Sequence, residues 1–504
     1  MNNTLKISLS YFLLFAFLLL ANSCSKESEY FDSINDYILG LQYDKASLLK
    51  VRSISGAIQR TKLGDIDVNT NPVQGKYLDC TGENFRLDRN FDNISILRPT
   101  NGVIYPGALV YADEDLWKGT PRPLTLDRSK MDLRIDLPGM RSEGNIEVKD
   151  ISNTEVQAKL DEALEWWNDN AYEEGYVNAS ASEYETTEVY SSVQLGLDVG
   201  MNVEWATGSV SSQLEYDRSS EKRVAVLVFK QVFYNVTMDT PGDPADVFSN
   251  DVTLSSAQAA FDESAPPAYI SNVSYGRIVM FRMEVENVSE SVDLEAVMNY
   301  AGGVSVDTDI NTEYDAILER SSIKVVTIGG DAEVTSQAVT AKGFNAFNEI
   351  LTGENAVYSR NNPGVPIAYT VKFLKDNTLA KMGYTTDYSI EDCVSKFFNH
   401  RTILVKNKFK HRNIRAKIFY TSSLGTQHSY DWVTIKDETF EGKYLTDVPN
   451  GAYDVRLNIE KYKAFDGWTE FEEFTINHVD SAAKACYSAY EVGNTEKCTR
   501  CVDE

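Results

Sequence analysis

Cysteine and histidine are the side chains with which this sequence could bind a metal or carry out catalysis. The four histidines all lie in the last quarter of the chain: His400, His411, His428 and His478. Their spacing fits neither a metal site nor a catalytic triad. Cys498 and Cys501 form a Cys-x-x-Cys pair, which could bind zinc together with Cys486 and His478 or form disulfides instead. We predict disulfides here, with no metal, no cofactor and no catalytic residue.

The number of cysteines predicts that one of them has no disulfide partner within the chain. Apart from Cys24, which belongs to the amino-terminal segment considered below, the cysteines are Cys80, Cys393, Cys486, Cys498 and Cys501. An odd number in an oxidising compartment leaves one cysteine unpaired or shared with another chain.

The composition is that of a large acidic protein. A chain of 504 residues exceeds what one hydrophobic core usually serves, so we expect about two to four domains. The net charge of -27 argues against a nucleic-acid partner and against attachment to anionic lipid through a polybasic segment. The sequence has no glycine-rich phosphate loop, and we therefore predict that the protein is not an enzyme.

The amino terminus has the features of an export signal. Lys6 precedes an apolar run over residues 11–20 that is too short to span a membrane as a helix. The run ends in Leu20-Ala21-Asn22-Ser23-Cys24, which resembles a bacterial lipoprotein signal. This resemblance implies removal of residues 1–23, lipidation of Cys24, a linker over 24–33 and an outer-membrane or cell-surface protein, retained or released. The alternative is an ordinary secretory signal that happens to contain a cysteine.

Residues 193–205 alternate almost without error between apolar and polar side chains. The apolar phase is Val193, Leu195, Leu197, Val199, Met201, Val203 and Trp205. A strand places such residues on one face, and about 9–11 residues suffice for a tilted strand to cross a bilayer. Alternation of this kind is typical of a membrane barrel, but an amphipathic strand of a soluble sheet has the same pattern.

A second stretch, residues 292–310, has the same alternation. Its apolar phase includes Val292, Leu294, Met298, Val304, Val306 and Ile310. Its first half also fits the i, i+3, i+4, i+7 spacing of a helix, through Leu294, Val297, Met298 and Ala301. We predict a segment that can adopt two states.

Several phrases resemble one protein family. Residues 105–113 (YPGALVYAD), 135–139 (IDLPG) and 156–167 (VQAKLDEALEWW) look like the first domain of the thiol-activated, or cholesterol-dependent, cytolysins. Further similar phrases follow in family order at 224–236, 243–254, 265–277, 321–332 and 366–376. The resemblance extends over residues 34–387.

The resemblance implies an α+β fold of four domains in an elongated molecule. The implied domain 1 is discontinuous, over residues 34–55, 97–181, 236–281 and 356–379. Domain 2, an elongated β connector, takes 56–96 and 380–396. Domain 3 takes 182–235 and 282–355, and domain 4, a β-sandwich, takes 397–504.

In the family, domain 3 is a twisted antiparallel sheet flanked by two helical clusters that refold into membrane β-hairpins. The two alternating stretches occupy the positions of those clusters. Gly329 and Gly330 match paired glycines that let an edge-covering strand swing away, although a simple strand-ending turn is the alternative. Tyr184, Ile323 and Lys342 match or neighbour inter-subunit contact positions, with Ile323 replacing an aromatic residue. The resemblance therefore implies a homo-oligomeric ring in a lipid membrane.

The resemblance weakens in the last domain. The Cys- and Trp-rich loop of the family aligns with residues 460–473, which contain no cysteine and one tryptophan. The family's cholesterol-recognising Thr-Leu pair has no match in residues 480–504, so sterol recognition is in doubt. Phe465, Trp468 and Phe471 could form an aromatic membrane tip or pack inside the sandwich.

A basic run interrupts the acidic chain just before this region. Its residues are Lys396, Arg401, Lys406, Lys408, Lys410, Arg412, Arg415 and Lys417. The run could meet anionic headgroups or an acidic partner, or it could be the solvated face of a strand.

These features predict a pore-forming toxin. The divergent last domain resembles that of cytolysin-like proteins in which a long component acts with a shorter relative, so a hetero-oligomer is one expectation. The alternative is a non-lytic surface lipoprotein that uses the fold for binding or adhesion. We expect Val199→Asp, a charge on the lipid side, to abolish permeabilisation while sparing the fold.

Overall fold

The computed structural model describes residues 31–66, 75–96, 102–178, 181–200, 222–286, 288, 292–302, 311–330, 350–397, 403–445, 448–476 and 485–501. Eight of the predicted site residues lie outside these ranges: Cys24, Met201, Val203, Trp205, Val304, Val306, Ile310 and Lys342. Lys6, His400, Arg401 and His478, also named above, lie outside them as well. Their predicted roles stay predictions.

The helices are short, and most begin at a side chain that accepts a backbone N–H, such as Ser152 or Asp293. They are α1 (Ile34–Gly40), α2 (Lys45–Leu48), α3 (Glu114–Lys118), α4 (Asn153–Trp167), α5 (Ser192–Asp198), α6 (Leu254–Ala260), α7 (Leu294–Ala301) and α8 (Asn311–Arg320). Single turns of 3₁₀ helix span Arg141–Gly144, Pro244–Val247 and Gly353–Ala356, and a π-helical turn spans Asn168–Tyr172.

The strands account for most of the regular structure. The first eleven are β1 (Ile58–Ile66), β2 (Lys76–Phe91), β3 (Ile94–Ser95), β4 (Leu109–Tyr111), β5 (Met131–Ile135), β6 (Asn145–Val148), β7 (Ala181–Glu188), β8 (Lys222–Met238), β9 (Pro267–Glu286), β10 (Ser322–Ile328) and β11 (Val365–Phe373). The remainder are β12 (Met382–Phe397), β13 (Ile403–Asn407), β14 (Ile414–Thr421), β15 (Gln427–Ser429), β16 (Val433–Ile435), β17 (Thr439–Tyr444), β18 (Tyr453–Lys463), β19 (Gly467–Ile476), β20 (Ala485–Val492) and β21 (Thr495–Arg500).

A nine-stranded sheet, called here the central sheet, organises the molecule. Its main path is β3-β11-β9-β8-β5-β6, with β4 and β10 paired to β9 and β7 paired to β8. The long strands β8 and β9 pair antiparallel from Lys222↔Glu286 to Thr237↔Asn272, with a register shift at Val232/Tyr234. One half of this strand pair packs against α4 in the largest hydrophobic cluster, called here the main core, which includes Leu160, Phe233 and Tyr269. The other half lies between α5 and α7.

A second sheet, called here the connector sheet, has the order β1-β2-β12. Strands β2 and β12 are antiparallel along their whole length, from Phe91↔Met382 to Lys76↔Phe397. They lead from the main core to the C-terminal region, where Gly75 lies against the backbone of Gly451.

The C-terminal region is a β-sandwich, as predicted. One sheet has the order β17-β13-β20-β21 and the other β15-β14-β18-β19, with β16 paired to β14. Alternate residues of β13, β14 and β18, such as Val405, Ile418 and Leu457, are buried in a common core. A disulfide joins Cys486 to Cys501, which bears out the disulfide interpretation of this segment, and Cys498 is a buried thiol.

Within the described part of the chain, no helix is both long enough and apolar enough to cross a bilayer.

Candidate functional site

The first alternating stretch begins as a helix, α5, packed between two sheets. Its start is fixed by a capping box, in which the Ser191 hydroxyl accepts the Gln194 N–H and the Gln194 side chain accepts the Ser191 N–H. The C-terminal cap is Val199, whose N–H donates to the Leu195 carbonyl. Residues 193–198 of the alternating stretch thus form a short, capped helix.

Helical winding divides the alternating apolar residues between two cores. Val193 and Leu197 are separated by four positions and contact the main core. Leu195 and Val199, also four positions apart, pack in the α5-side cluster, which also contains Val189, Val224, Val226, Val228, Ile278, Met280 and Ile367. A period of two therefore becomes two i, i+4 rows, and both can be buried because α5 has sheets on both sides.

The single carboxylate of α5 is buried and fully bonded. Asp198 is 5% exposed. Its Oδ1 lies 2.6 Å from Arg60 Nη2 of the connector sheet, and its Oδ2 accepts a hydrogen bond of 2.9 Å from the Thr187 hydroxyl of β7. The Gln194 amide also donates to Oδ2. This carboxylate therefore ties α5 to both neighbouring sheets.

Cationic groups cover the carboxyl end of α5. Arg89 Nη1 donates to the Leu197 carbonyl at 2.7 Å, and the Gly200 carbonyl accepts from Ser95 Oγ at 3.0 Å and from Lys230 Nζ at 3.2 Å. Positive charge is favourable at this end of a helix because the last carbonyls have no partner within it. Burial, with the nearby Arg89 charge, lowers the pKa of Lys230 to about 8.

The second stretch begins as helix α7, as its i, i+3, i+4, i+7 spacing predicted. Asp293 caps it by accepting the Ala296 N–H at 3.0 Å. Its buried residues are Leu294, Val297, Met298 and Ala301. They belong to the α7-side cluster, with Ala225, Leu227, Phe229, Val279, Phe281, Met283, Val285, Ile317, Val325, Ile350 and Leu351.

The two helices lie on opposite faces of the same strands. Along β8, Val224, Val226 and Val228 face α5, while Ala225 and Leu227 face α7. The sheet is thus apolar on both faces, and each helix shields one of them.

The end of β7 is linked to both helices. Thr187 binds α5 through Asp198, as described, and Thr186 Oγ1 donates to Asn299 Oδ1 of α7 at 2.5 Å. The Glu188 N–H donates to Glu295 of α7 at 3.1 Å, and burial raises the pKa of Glu295. Polar contacts at one strand end therefore hold both segments in the helical state.

Strand β10 covers an edge of β9 and ends in two glycines. Seven residues pair, from Ser322↔Glu284 to Ile328↔Ile278. Gly329 and Gly330 follow with φ of +78° and +88°. A Cβ at Gly329 would lie 2.8 Å from the Gly276 carbonyl oxygen, so both conformation and space require glycine there.

Two of the predicted subunit-contact residues, Tyr184 and Ile323, lie on opposite edges of the strand order β7-β8-β9-β10. Tyr184 of β7 is 49% exposed, with its ring 6.0 Å from that of Phe229. Ile323 of β10 is partly buried beside the α7-side cluster. The two side chains therefore lie on different outer strands of this order.

The three aromatic residues predicted for the tip differ in their surroundings. Phe465 lies in the β18–β19 turn and is fully exposed. Trp468 packs edge-on against Tyr462 at 5.4 Å, whereas Phe471 packs against Phe409 at 5.9 Å in the sandwich core. Phe465 alone among the three presents its whole ring to solvent.

Sequence reasoning missed the polar residues that hold α5 and α7. Arg60 lies 138 positions from Asp198, and Thr186 lies 113 positions from Asn299. Such pairs have no local signal in one sequence, because only the folded chain brings them together. The sequence does contain one local indication of α5, because Ser191 precedes Gln194 by three positions, which is the spacing of a capping box.

Comparison with known proteins agrees with this architecture. Residues 33–397 match the family model described as thiol-activated cytolysin. The match ends where the C-terminal sandwich begins.

Individual relatives extend the match. The chain is 31% identical to tetanolysin of Clostridium tetani over 389 residues, covering 76% of this chain and 70% of tetanolysin. It is 32% identical to pneumolysin of Streptococcus pneumoniae over 378 residues, covering 74% and 77% of the two chains. The match to streptolysin O of Streptococcus dysgalactiae, 31% over 368 residues, covers 72% of this chain and 61% of that protein.

Solved structures cover the sandwich as well. The crystal structure of the human-specific toxin intermedilysin has a TM-score of 0.60 at 23% identity, covering 94% of this chain and 98% of that one. That of listeriolysin O has a TM-score of 0.60 at 24% identity, covering 94% and 96%. With the sheet order, the flanking helices and the family match over residues 33–397 in agreement, the chain is a member of the thiol-activated cytolysin family.

Proposed function

We propose that this protein is a pore-forming toxin that assembles into a ring on a membrane and inserts a β-barrel. One observation carries the proposal: segments with the alternation of membrane strands are held as short helices on a sheet that is apolar on both faces. A helix satisfies its own backbone hydrogen bonds in the soluble protein. A closed barrel does so in lipid, with the apolar phase outward.

In the proposed mechanism, assembly precedes insertion. β10 swings away at Gly329 and Gly330, which exposes the edge of β9 to the β7 edge of a neighbouring copy. The segments around α5 and α7 then extend from the sheet as hairpins. A single inserted hairpin would leave backbone groups unpaired in lipid, so closing the ring must come first.

Membrane contact begins, in this proposal, at the exposed Phe465 ring of the β18–β19 turn. Aromatic rings favour the boundary between headgroups and hydrocarbon. Sterol is not required in this proposal, because the residues that recognise it in the family have no match here. A shorter cytolysin-like partner that binds the membrane first would compensate for the divergent tip.

The proposed location before action is the outer surface of a bacterial cell, through a lipid on Cys24. Metabolic labelling with a clickable fatty acid would show incorporation that Cys24→Ala abolishes. Absence of label from the unmodified protein would contradict the anchor but not the pore.

A reversible disulfide lock on α7 tests the pore. Thr186 Oγ1 and Asn299 Oδ1 lie 2.5 Å apart, so Thr186→Cys/Asn299→Cys places two thiols close together on β7 and α7. Thiol titration after oxidation would verify that the disulfide has formed. We expect the oxidised double variant to release no dye from liposomes and to regain release after reduction. The liposomes would include sterol-containing and sterol-free membranes, with and without candidate partners.

Each single variant and the unmodified protein, treated with the same reductant, are the controls, because reduction also opens Cys486–Cys501. Full release by the oxidised double variant would contradict refolding of α7. If the unmodified protein released no dye under any condition yet bound the membranes, the alternative of a non-lytic binding or adhesion protein would replace the pore.

A further inference from the structure

Exposed large apolar side chains are concentrated in one short stretch of the chain before the C-terminal sandwich. Nine such residues lie in the described part of the chain up to residue 397: Leu39, Ile58, Leu63, Tyr172, Tyr176, Val177, Tyr184, Leu379 and Phe397. Four of the nine fall within residues 172–184. A cluster of exposed apolar groups marks a contact surface, whereas single exposed groups are ordinary.

The four residues lie on the side of β8 that faces away from β9. β7 and β5 both pair with β8 on that side. Tyr184 belongs to β7, and Tyr176 packs against the loop after β5, where a Cβ on Gly139 would lie 2.8 Å from the Tyr176 ring. Residues 172–177 and 181–185, called here the β7 side, are all exposed.

The backbone of β7 offers an edge to a further strand. Within the described ranges, β7 pairs with β8 alone, from Ala181↔Val232 to Glu188↔Ala225. The other edge of β7 therefore has no strand beside it in that part of the chain. An exposed strand edge is a template for pairing with another chain.

The β7 side is acidic as well as apolar. It contains no lysine or arginine and four carboxylates, which belong to Glu173, Glu174, Glu183 and Glu185. Arg141 lies 3.6 Å from Glu174. Arg89 lies 3.8 Å from Glu185. The β7 side thus keeps an excess of negative charge even with these neighbours, which favours a partner surface that carries a cation.

The opposite edge of the strand order β7-β8-β9-β10 carries such a cation. Lys324 is the single charged residue of β10, and it is exposed. It shares a phase with Val326, which packs against the α5-side cluster. Glu185 lies opposite Val228, a member of the same cluster. Lys324 and Glu185 therefore lie on the same face of the sheet, so two copies placed edge to edge would bring opposite charges together.

We propose that the β7 side is a docking surface for the β10 edge of a second copy of this chain. Tyr172, Tyr176 and Val177 extend this contact beyond the strand edge, and tyrosine is enriched at contacts between proteins. All these groups are exposed in the soluble protein, so docking precedes the movement of β10. The inference rests on the proposed assembly into a ring, but it does not require insertion of α5 or α7.

A dye at position 177 tests the surface directly. Val177→Cys and Leu39→Cys would each be labelled with a thiol-reactive dye and bound to liposomes of phosphatidylcholine and phosphatidylethanolamine, with and without cholesterol. Leu39 is the matched control, because it lies on α1 and is 46% exposed, compared with 54% for Val177. We expect iodide to quench both dyes in the soluble protein and to quench the control dye alone on oligomers.

Tyr172→Ser/Val177→Ser should lower the yield of chemically cross-linked oligomers by about tenfold or more, with liposome binding unchanged in flotation. Leu39→Ser should leave the yield unchanged, and thermal unfolding would verify that both variants fold. The oxidised Thr186→Cys/Asn299→Cys protein should still form cross-linked oligomers, which separates docking from insertion.

Equal quenching at positions 177 and 39 on oligomers, or equal oligomer yields from the two serine variants, would overturn the docking surface and leave the pore intact. An unmodified protein that forms no oligomer on any of these liposomes, with or without candidate partners, would overturn both proposals.

Discussion

Helices α5 and α7 shield the same sheet from opposite sides, but they are held in different ways. α5 lies between two sheets, with two apolar rows buried and its carboxyl end bonded to Arg60 and Arg89 of the connector sheet. α7 covers one face of the central sheet, and its polar contacts to β7 run through Asn299 and Glu295. We infer that α5 can leave the central sheet only if the connector sheet separates from α5. α7 can leave the central sheet without that separation.

The largest expected effect is a loss of stability of the soluble protein when a charge replaces Val199. Val199 is fully buried in the α5-side cluster, so the expectation that Val199→Asp spares the fold is wrong. An unpaired carboxylate there should destabilise the protein by about 4 kcal/mol or more. Thermal unfolding of the variant measures this, and an unchanged midpoint would contradict the packing of α5.

Ala296→Asp is the matched change on α7. Ala296 is only half-buried, lies in the first turn where an acidic residue is favourable, and shares the apolar phase of the second stretch. We expect nearly unchanged thermal stability with strongly reduced dye release. Normal release would contradict a lipid-facing position for this residue.

Removing a polar contact of each helix should reduce stability by a smaller amount, and by a different amount for α5 and α7. Arg60→Ala leaves the buried Asp198 without its ion pair and should cost about 1–3 kcal/mol, whereas Asn299→Ala should cost about 0.5–1.5 kcal/mol. Dye release by the Arg60 variant should also be faster. Equal losses in chemical denaturation would show that the connector sheet does not hold α5 more firmly than β7 holds α7.

The part of the fold that sequence predicts well is the part with local or repeated patterns. The spacing of Leu294, Val297, Met298 and Ala301 predicts α7, and the ordered family phrases predict the central sheet. The strand-like pattern from Val193 does not predict α5, because burial on two sides removes the usual single apolar stripe of a helix. Ion pairs such as Arg60 with Asp198 could not be predicted, because they join residues far apart in the chain.

The smallest expected effect concerns Lys230 at the end of α5. Its pKa, lowered by burial from 10.5 to about 8, means that the folded state disfavours the charged form. Between these two values the unfolded chain binds more protons, so this group makes stability rise as pH rises through that window. Lys230→Met should raise stability below pH 8 and flatten the rise, as thermal unfolding across the window would show. A variant with the same pH profile as the unmodified protein would contradict the assignment.

The central claim is that the residues forming α5 become a strand in the membrane. Single cysteines at each position from 193 to 199, labelled with an environment-sensitive dye, would report the surroundings of every side chain before and after liposome binding, with the unmodified protein as labelling control. Before binding, positions 194–199 are all buried. On membranes we predict that 193, 195, 197 and 199 lie in an apolar environment, whereas 194, 196 and 198 become exposed to water. Dye release accompanied by a helical period, or by no alternation at all, would contradict it.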